Sequence, residues 1–234
     1  MRDALGEIGR VPEFLERVER ADDPEAWREL EYRLCLEHDL VPPAGFAALP
    51  RLVPLAVSDR RARRLAGLIV RCSAGHHRCD ALLAGTAAAI ADFGGQLDRH
   101  LRTRPADYLD SFIDLLAVAG QYHWSAALGD FSDDFYPVDC PHCAVKVMIA
   151  IGDYGRYSAI RDWDHGDVDR RPLRPAFPAE LTGTGRWMYD TAARDGQAAL
   201  AEGIAHLHGR AECPRCAALF TVADEYAAAN LPRL

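Results

Sequence analysis

The motifs Cys140-Pro141-His142-Cys143 and Cys213-Pro214-Arg215-Cys216 constrain this chain more than any other feature. Each offers two thiols at the spacing with which one tight turn grips a metal ion. Together they supply the four soft ligands that a structural Zn²⁺ takes. The expected metal ligands are therefore Cys140, Cys143, Cys213 and Cys216, with Zn²⁺ as a structural cofactor. Four thiolates close the tetrahedron and leave no position for a catalytic water.

The flanks repeat as well. After Cys143, the stretch Ala144 to Ile151 sets Val145, Val147, Ile149 and Ile151 on one face at the period of a strand, and Gly152 ends it. After Cys216, Leu219 to Val222 reads as a second short strand. These are the parts of a zinc ribbon, in which each pair sits in the turn of a β-hairpin. Two features depart from that pattern. The insertion between the pairs is long, and Ala144 and Ala217 stand where ribbons commonly carry glycine. A Cys-Pro-His-Cys motif also occurs at thiol–disulfide oxidoreductase sites, but there the first cysteine opens a helix whose dipole lowers its pKa. The β-branched run after Cys143 predicts no helix.

Residues from about 10 to 130 read as a succession of amphipathic helices. Glu25 to Leu36 carries Trp27, Leu30 and Leu34 behind an Asp23 cap and a Pro24 at the first helical position. Ala44 to Val57 repeats the stripe with Phe46, Leu49, Val53 and Ala56. Ser58-Asp59 caps a helix bearing Ala62, Leu65, Ile69 and Cys72. Residues 80–99 place Leu83, Ala87, Ile90 and Leu97 on one side, residues 106–119 place Tyr108, Phe112, Leu115 and Ala119, and a short helix surrounds Trp124 and Leu128. Links this short make neighbouring helices antiparallel, and stacked pairs of this kind build a solenoid. Beyond the first cysteine pair, residues 162–185 read as a long loop, and one helix from Thr184 to near Gly209 carries Trp187, Leu200, Ile204 and Leu207. A last helical turn covers Asp224 to Ala229.

Charge narrows the classes of partner. The formal net charge is −8, divided as −7 over residues 1–139 and −1 over residues 140–234. Neither part has the basic excess that phosphate contacts demand, which argues against nucleic acid as the partner. Lys146 is the only lysine, a bias typical of a GC-rich, bacterial genome. No apolar run is long enough to span a bilayer and no secretory leader is expected. Seven cysteines, four of them in the two pairs, fit a reducing cytoplasmic setting rather than a disulfide framework.

Other clusters have plainer readings. Cys72, His76, His77 and Cys79 have the composition of a second metal site, but Cys72 continues an apolar stripe and the histidines follow Gly75 in a turn. Cys35 sits beside the Trp27 stripe and is expected in the core. Asp162, Asp164, His165, Asp167 and Asp169 concentrate carboxylates in a loop, out of register with an EF-hand and surrounded by Arg161, Arg170, Arg171 and Arg174. Arg60, Arg61, Arg63 and Arg64 form a basic patch that reads as a solvated or partner-facing surface. His123-Trp124 resembles a fragment of an active site, yet no nucleophile, base and oxyanion donor occur together.

Two stretches carry a resemblance. Trp27-Arg28-Glu29-Leu30 with Arg33-Leu34-Cys35, followed by Ala44-Gly45-Phe46-Ala47-Ala48-Leu49-Pro50-Arg51-Leu52-Val53, resembles an uncharacterised family of bacterial HEAT-like helical-repeat proteins. The Trp124 segment leading to the paired Cys-Pro-x-Cys motifs resembles members with a C-terminal zinc-ribbon-like module. The resemblance implies an α-solenoid and structural zinc, and brings no catalytic residues. The expectation is a mainly α chain, with a HEAT-like antiparallel helical array over 1–130 and a small α+β zinc-ribbon-like module over 131–234. Such a chain would bind a protein partner, in a regulatory or immunity-like role. The alternatives are a divalent-metal-dependent hydrolase using the 162–169 carboxylates with His165 or His123 where the two modules join, and a nucleic-acid binder using the ribbon with Arg210 and Arg215.

Overall fold

The structure is a computed structural model that describes residues 10–34, 41–72, 80–129, 135–162 and 164–230. The described chain is mainly helical, with ten α-helices and a four-stranded antiparallel sheet. It divides into two compact units, Met1–Ser125 and Ala126–Leu234. Among the described residues no helix is long and apolar enough to cross a membrane.

The first unit holds α1 (Arg10–Arg20), α2 (Pro24–Leu34), α3 (Pro43–Leu55), α4 (Arg60–Arg71), α5 (Asp80–Leu101), α6 (Tyr108–Val118) and the start of α7 (Tyr122–Gly129). Local signals set the helix starts. The Asp23 carboxylate accepts from the backbone N–H of Glu25 and Ala26, at 3.1 and 3.0 Å, and Asp59 accepts from that of Arg61 at 2.8 Å. The apolar stripes then decide the packing. Consecutive helices pair as α1 with α2, α3 with α4 and α5 with α6, while α1, α3 and α5 pack in one row and α2, α4 and α6 in another. Trp27, Leu30, Leu34, Phe46, Leu49, Val53, Ala62, Leu65 and Ile69 all lie in one apolar core.

Two stripes differ from the sequence reading. On α5 the inward face is Thr86, Phe93, Leu97 and Leu101, whereas Ala87 is exposed. The run of alanines and glycines there carries no contrast between faces, so Phe93 fixes the rotation. On α6 the buried set is Tyr108, Ser111, Phe112, Ile113, Asp114, Leu116 and Ala117, with Ala119 outside.

Asp114 was not legible as a core residue. Its carboxylate meets α4 where Gly67 removes a side chain: a Cβ at Gly67 would overlap the Asp114 carboxylate. Burial pushes this carboxyl up to about 7, against the opposing Arg71 guanidinium, whose Nε lies 3.0 Å away. A folded-state value raised above the unfolded one favours the folded chain at low pH and is lost as pH rises through about 7. Relative to the native protein, Asp114→Asn therefore gains stability as pH is raised from 4 to 7, by on the order of a few kcal/mol. Gly67→Ala, a change that normally favours a helix, costs roughly 1–3 kcal/mol by overpacking. Urea denaturation followed across pH checks both.

The second unit is built on the antiparallel meander β1 (Phe135–Asp139), β2 (Lys146–Gly152), β3 (Gly155–Asp162) and β4 (Gly166–Pro172). A 3-10 turn (Pro178–Glu180), α8 (Gly183–Arg194), α9 (Ala198–Leu207), the hairpin β5 (Arg210–Glu212) and β6 (Leu219–Thr221), and α10 (Val222–Asn230) follow. Tyr136 pairs with Ile149 and Val138 with Val147, and α9 packs on β2 while α10 packs on β1. Tyr136 meets Tyr226 edge-on at 5.5 Å and donates to the Ala127 carbonyl at 3.0 Å.

Three expectations are corrected. The region 162–185 is not one loop, because Gly166–Pro172 forms β4. This strand is an edge rich in Asp and Arg, a composition that discourages further pairing and hides the strand from apolar patterning. The helix expected from Thr184 to Gly209 is two helices. Gly196, at φ +73°, ends α8, and the Gly196 and Gln197 N–H groups donate back to the carbonyls of Ala193 and Ala192. Trp187 is exposed, and Met188 and Ala192 make the buried face of α8 instead.

Candidate metal centre

The two cysteine pairs occupy equivalent turns. Cys140 to Val145 link β1 to β2, with Asp139 opposite Lys146, and Cys213 to Ala218 link β5 to β6, with Glu212 opposite Leu219. In the first turn the Cys140 N–H donates to the Val145 carbonyl at 2.9 Å, and the Ala144 N–H to the Cys140 carbonyl at 2.8 Å. In the second, Cys213 N–H donates to Ala218 at 2.8 Å and Ala217 N–H to Cys213 at 2.9 Å. Val145 thus belongs to the turn, and the strand begins one residue later than its apolar alternation implied.

These bonds require the residue after each second cysteine to take a left-handed conformation. Ala144 has φ +55° and Ala217 φ +58°. The alanines keep the geometry that glycine would adopt without strain.

The turns face each other through their thiols. All four Sγ atoms lie within 4.8 Å of one another. Cys140 Sγ is 3.7 Å from Cys216 Sγ, and Cys143 Sγ is 3.8 Å from Cys213 Sγ. A tetrahedral metal with bonds of about 2.3 Å to sulfur has edges of about 3.8 Å. The separations match that edge and lie far beyond a disulfide bond. The four cysteines could hold a metal ion such as zinc.

Electrostatics reinforce the fit. Burial opposes ionisation of Cys140, but the backbone N–H groups of His142 and Cys143 outweigh it and bring the thiol down to about 7. Burial pushes Cys213 up to about 12. Four thiolates this close repel one another, so all four ionise together only around a cation, which then deprotonates its ligands. Neither pair opens a helix, the setting that activates a redox thiol.

The chain matches no protein-family model, no curated protein and no solved structure.

The other sequence candidates fall elsewhere. Cys72 caps the end of α4, partly buried against the core, while Cys35, His76, His77 and Cys79 lie outside the described residues. Two of the 162–169 carboxylates, Asp162 and Asp167, accept hydrogen bonds within their own hairpin. Asp162 Oδ1 accepts from the N–H groups of Asp164 and His165, at 2.9 and 2.8 Å, and lies 2.9 Å from His165 Nδ1. The His165 ring and these N–H groups hold Asp162 below the usual carboxylate range. Asp167 accepts from Arg161 at 2.6 Å and from the Tyr157 hydroxyl at 2.8 Å.

The His123 ring lies 4.5 Å from that of Trp124 at a tilt of 47°, and burial lowers its pKa. The basic patch is partly neutralised within the first unit. Arg61 pairs with Asp22 and Asp59 at 2.6 and 2.8 Å, and Arg60 and Arg63 reach Asp107 at 3.5 and 3.6 Å.

Two outcomes follow from this geometry. Ala144→Gly with Ala217→Gly, by relieving two left-handed alanines, raises the stability of the second unit by roughly 1 kcal/mol, read by chemical denaturation. Cys140→Ser removes one ligand from the cluster that joins both hairpins. It abolishes hydrogen-exchange protection across residues 135–230 and leaves protection within α2, α3 and α4 near the native level.

Proposed function

We propose that the chain is a zinc-stabilised, HEAT-like helical interaction protein that binds a protein partner in a reducing compartment, in a regulatory or immunity-like role. The observation that carries this reading is the closed four-sulfur cluster. It supplies ligands from two matching turns and, once filled, offers no open position for a substrate or an activated water. The metal then contributes folding energy, of the order of 10 kcal/mol or more, rather than chemistry.

The helical unit supports the second half of the reading. Three consecutive helix pairs, with odd helices in one row and even helices in another, suit the packing from which α-solenoids are built, and such arrays bind through extended surfaces. The C-terminal unit fits a zinc-ribbon-like module whose long insertion forms β3, β4, α8 and α9. The acidic loop gives the hydrolase alternative little support, because Asp162 and Asp167 already accept hydrogen bonds from their own hairpin.

A screen of phosphoester, peptide and amide substrates with Mg²⁺, Mn²⁺ and Ca²⁺ tests this assignment. The purified protein shows no turnover with any of them. Turnover abolished jointly by Asp164→Ala and His165→Ala, with metal content at the cysteines unchanged, would replace the interaction reading with the hydrolase.

A further inference from the structure

The second unit contains a groove of about 870 Å³ between the segment 173–178 and the α8–α9 hairpin. That volume lies within the range of sites that hold small organic molecules. Its walls are mostly apolar, with Leu173, Pro175, Ala201 and Ala205 among them, and the rings of Tyr189 and the exposed Phe177 add aromatic faces. One buried polar group stands in this apolar setting. His206 lines the groove with only 6% of its surface exposed.

The proton on that imidazole is fixed by its own helix. His206 Nδ1 lies 3.0 Å from the Glu202 carbonyl oxygen. A carbonyl can only accept, so Nδ1 carries a hydrogen, which leaves Nε2 as the ring's acceptor position. Nε2 has no hydrogen-bond partner among the described residues and is not sealed from solvent, and the residue lines the groove. The two charged residues that line it already have partners. The Glu202 carboxylate accepts from Arg156 at 2.9 Å, and the Arg174 guanidinium lies 4.0 Å from Glu212. A charged ligand would have to compete with these pairs, whereas a neutral hydrogen-bond donor would meet the acceptor on His206.

We propose that this groove binds a small, flat, neutral and largely apolar molecule carrying one N–H or O–H group, which donates to Nε2 of His206. The aromatic faces suit a planar ring, and the apolar walls contribute most of the affinity by removing its surface from water. None of the four cysteines of the metal cluster lines this groove.

Indole and benzofuran make the test, because they share a shape and differ in the N–H donor. Both are titrated to millimolar concentration into the ¹⁵N-labelled full chain, and amide shifts are mapped. Indole shifts amides confined to residues 173–178 and 189–206, and benzofuran binds there about tenfold more weakly, the loss of one hydrogen bond. His206→Leu brings indole to the benzofuran level. Ala193→Trp, which fills the groove from an exposed position on α8, abolishes binding of both and leaves His206 in place. Absence of groove-localised shifts, equal affinity for the two molecules, or unchanged binding by Ala193→Trp overturns the proposal.

Discussion

Two matching turns of the second unit aim four sulfur atoms at one point. The turns are held by the same pair of backbone hydrogen bonds, and both force an alanine into left-handed backbone to do so. Ordering them costs conformational entropy, and bringing together segments 70 positions apart costs loop-closure entropy as well. A cluster of neutral thiols offsets little of that. A metal ion bound by four thiolates offsets it outright, because a preformed site rarely exists in the unfolded chain and the binding energy becomes folding energy. The meander from β2 to β4 and the helices α8 and α9 all lie inside the loop that the cluster closes. A metal ion held by the four cysteines would stabilise them by closing that loop.

The first unit needs no such staple. Its interior is a contiguous apolar core spanning α1 to α5, with Ala117 from α6, large enough to order the helices it joins. Among the polar groups buried in this unit is the Asp114 carboxylate, set against the bare backbone of Gly67 and opposite Arg71. Burying a carboxyl in such surroundings makes it hold its proton to a higher pH. An aliphatic residue of similar size would carry no such dependence. The carboxylate takes the space that the missing side chain of Gly67 leaves on α4, which ties α4 to α6 at this point.

The legible parts of the chain are those where one local signal dominates. Asp23-Pro24 and Asp59 start helices because a carboxylate satisfies free N–H groups, and the Trp27 and Phe46 stripes face inward because nothing competes with their hydrophobic burial. Each cysteine pair identifies its turn because the spacing is that of a metal grip. The signal fails where contrast is lost. The Ala- and Gly-rich α5 gives no face until Phe93 is placed. β4 is an edge strand whose charges conceal its pairing with β3. Gly196 falls inside the single helix expected from Thr184 to Gly209, yet its positive φ ends α8 and turns the chain into α9. Asp114 and His206 escape notice for a different reason. Each is a polar residue whose burial depends on neighbours distant in sequence, and a sequence window does not show those neighbours.

Cys140, Cys143, Cys213 and Cys216 are proposed to form one closed metal site. X-ray absorption at the zinc edge, on full-length protein purified in zinc-containing medium, measures the ligand shell directly. One zinc per chain with four sulfur neighbours at about 2.3 Å, and no nitrogen or oxygen, is the predicted result. A chain free of bound metal, or a mixed shell containing oxygen or nitrogen, would contradict it.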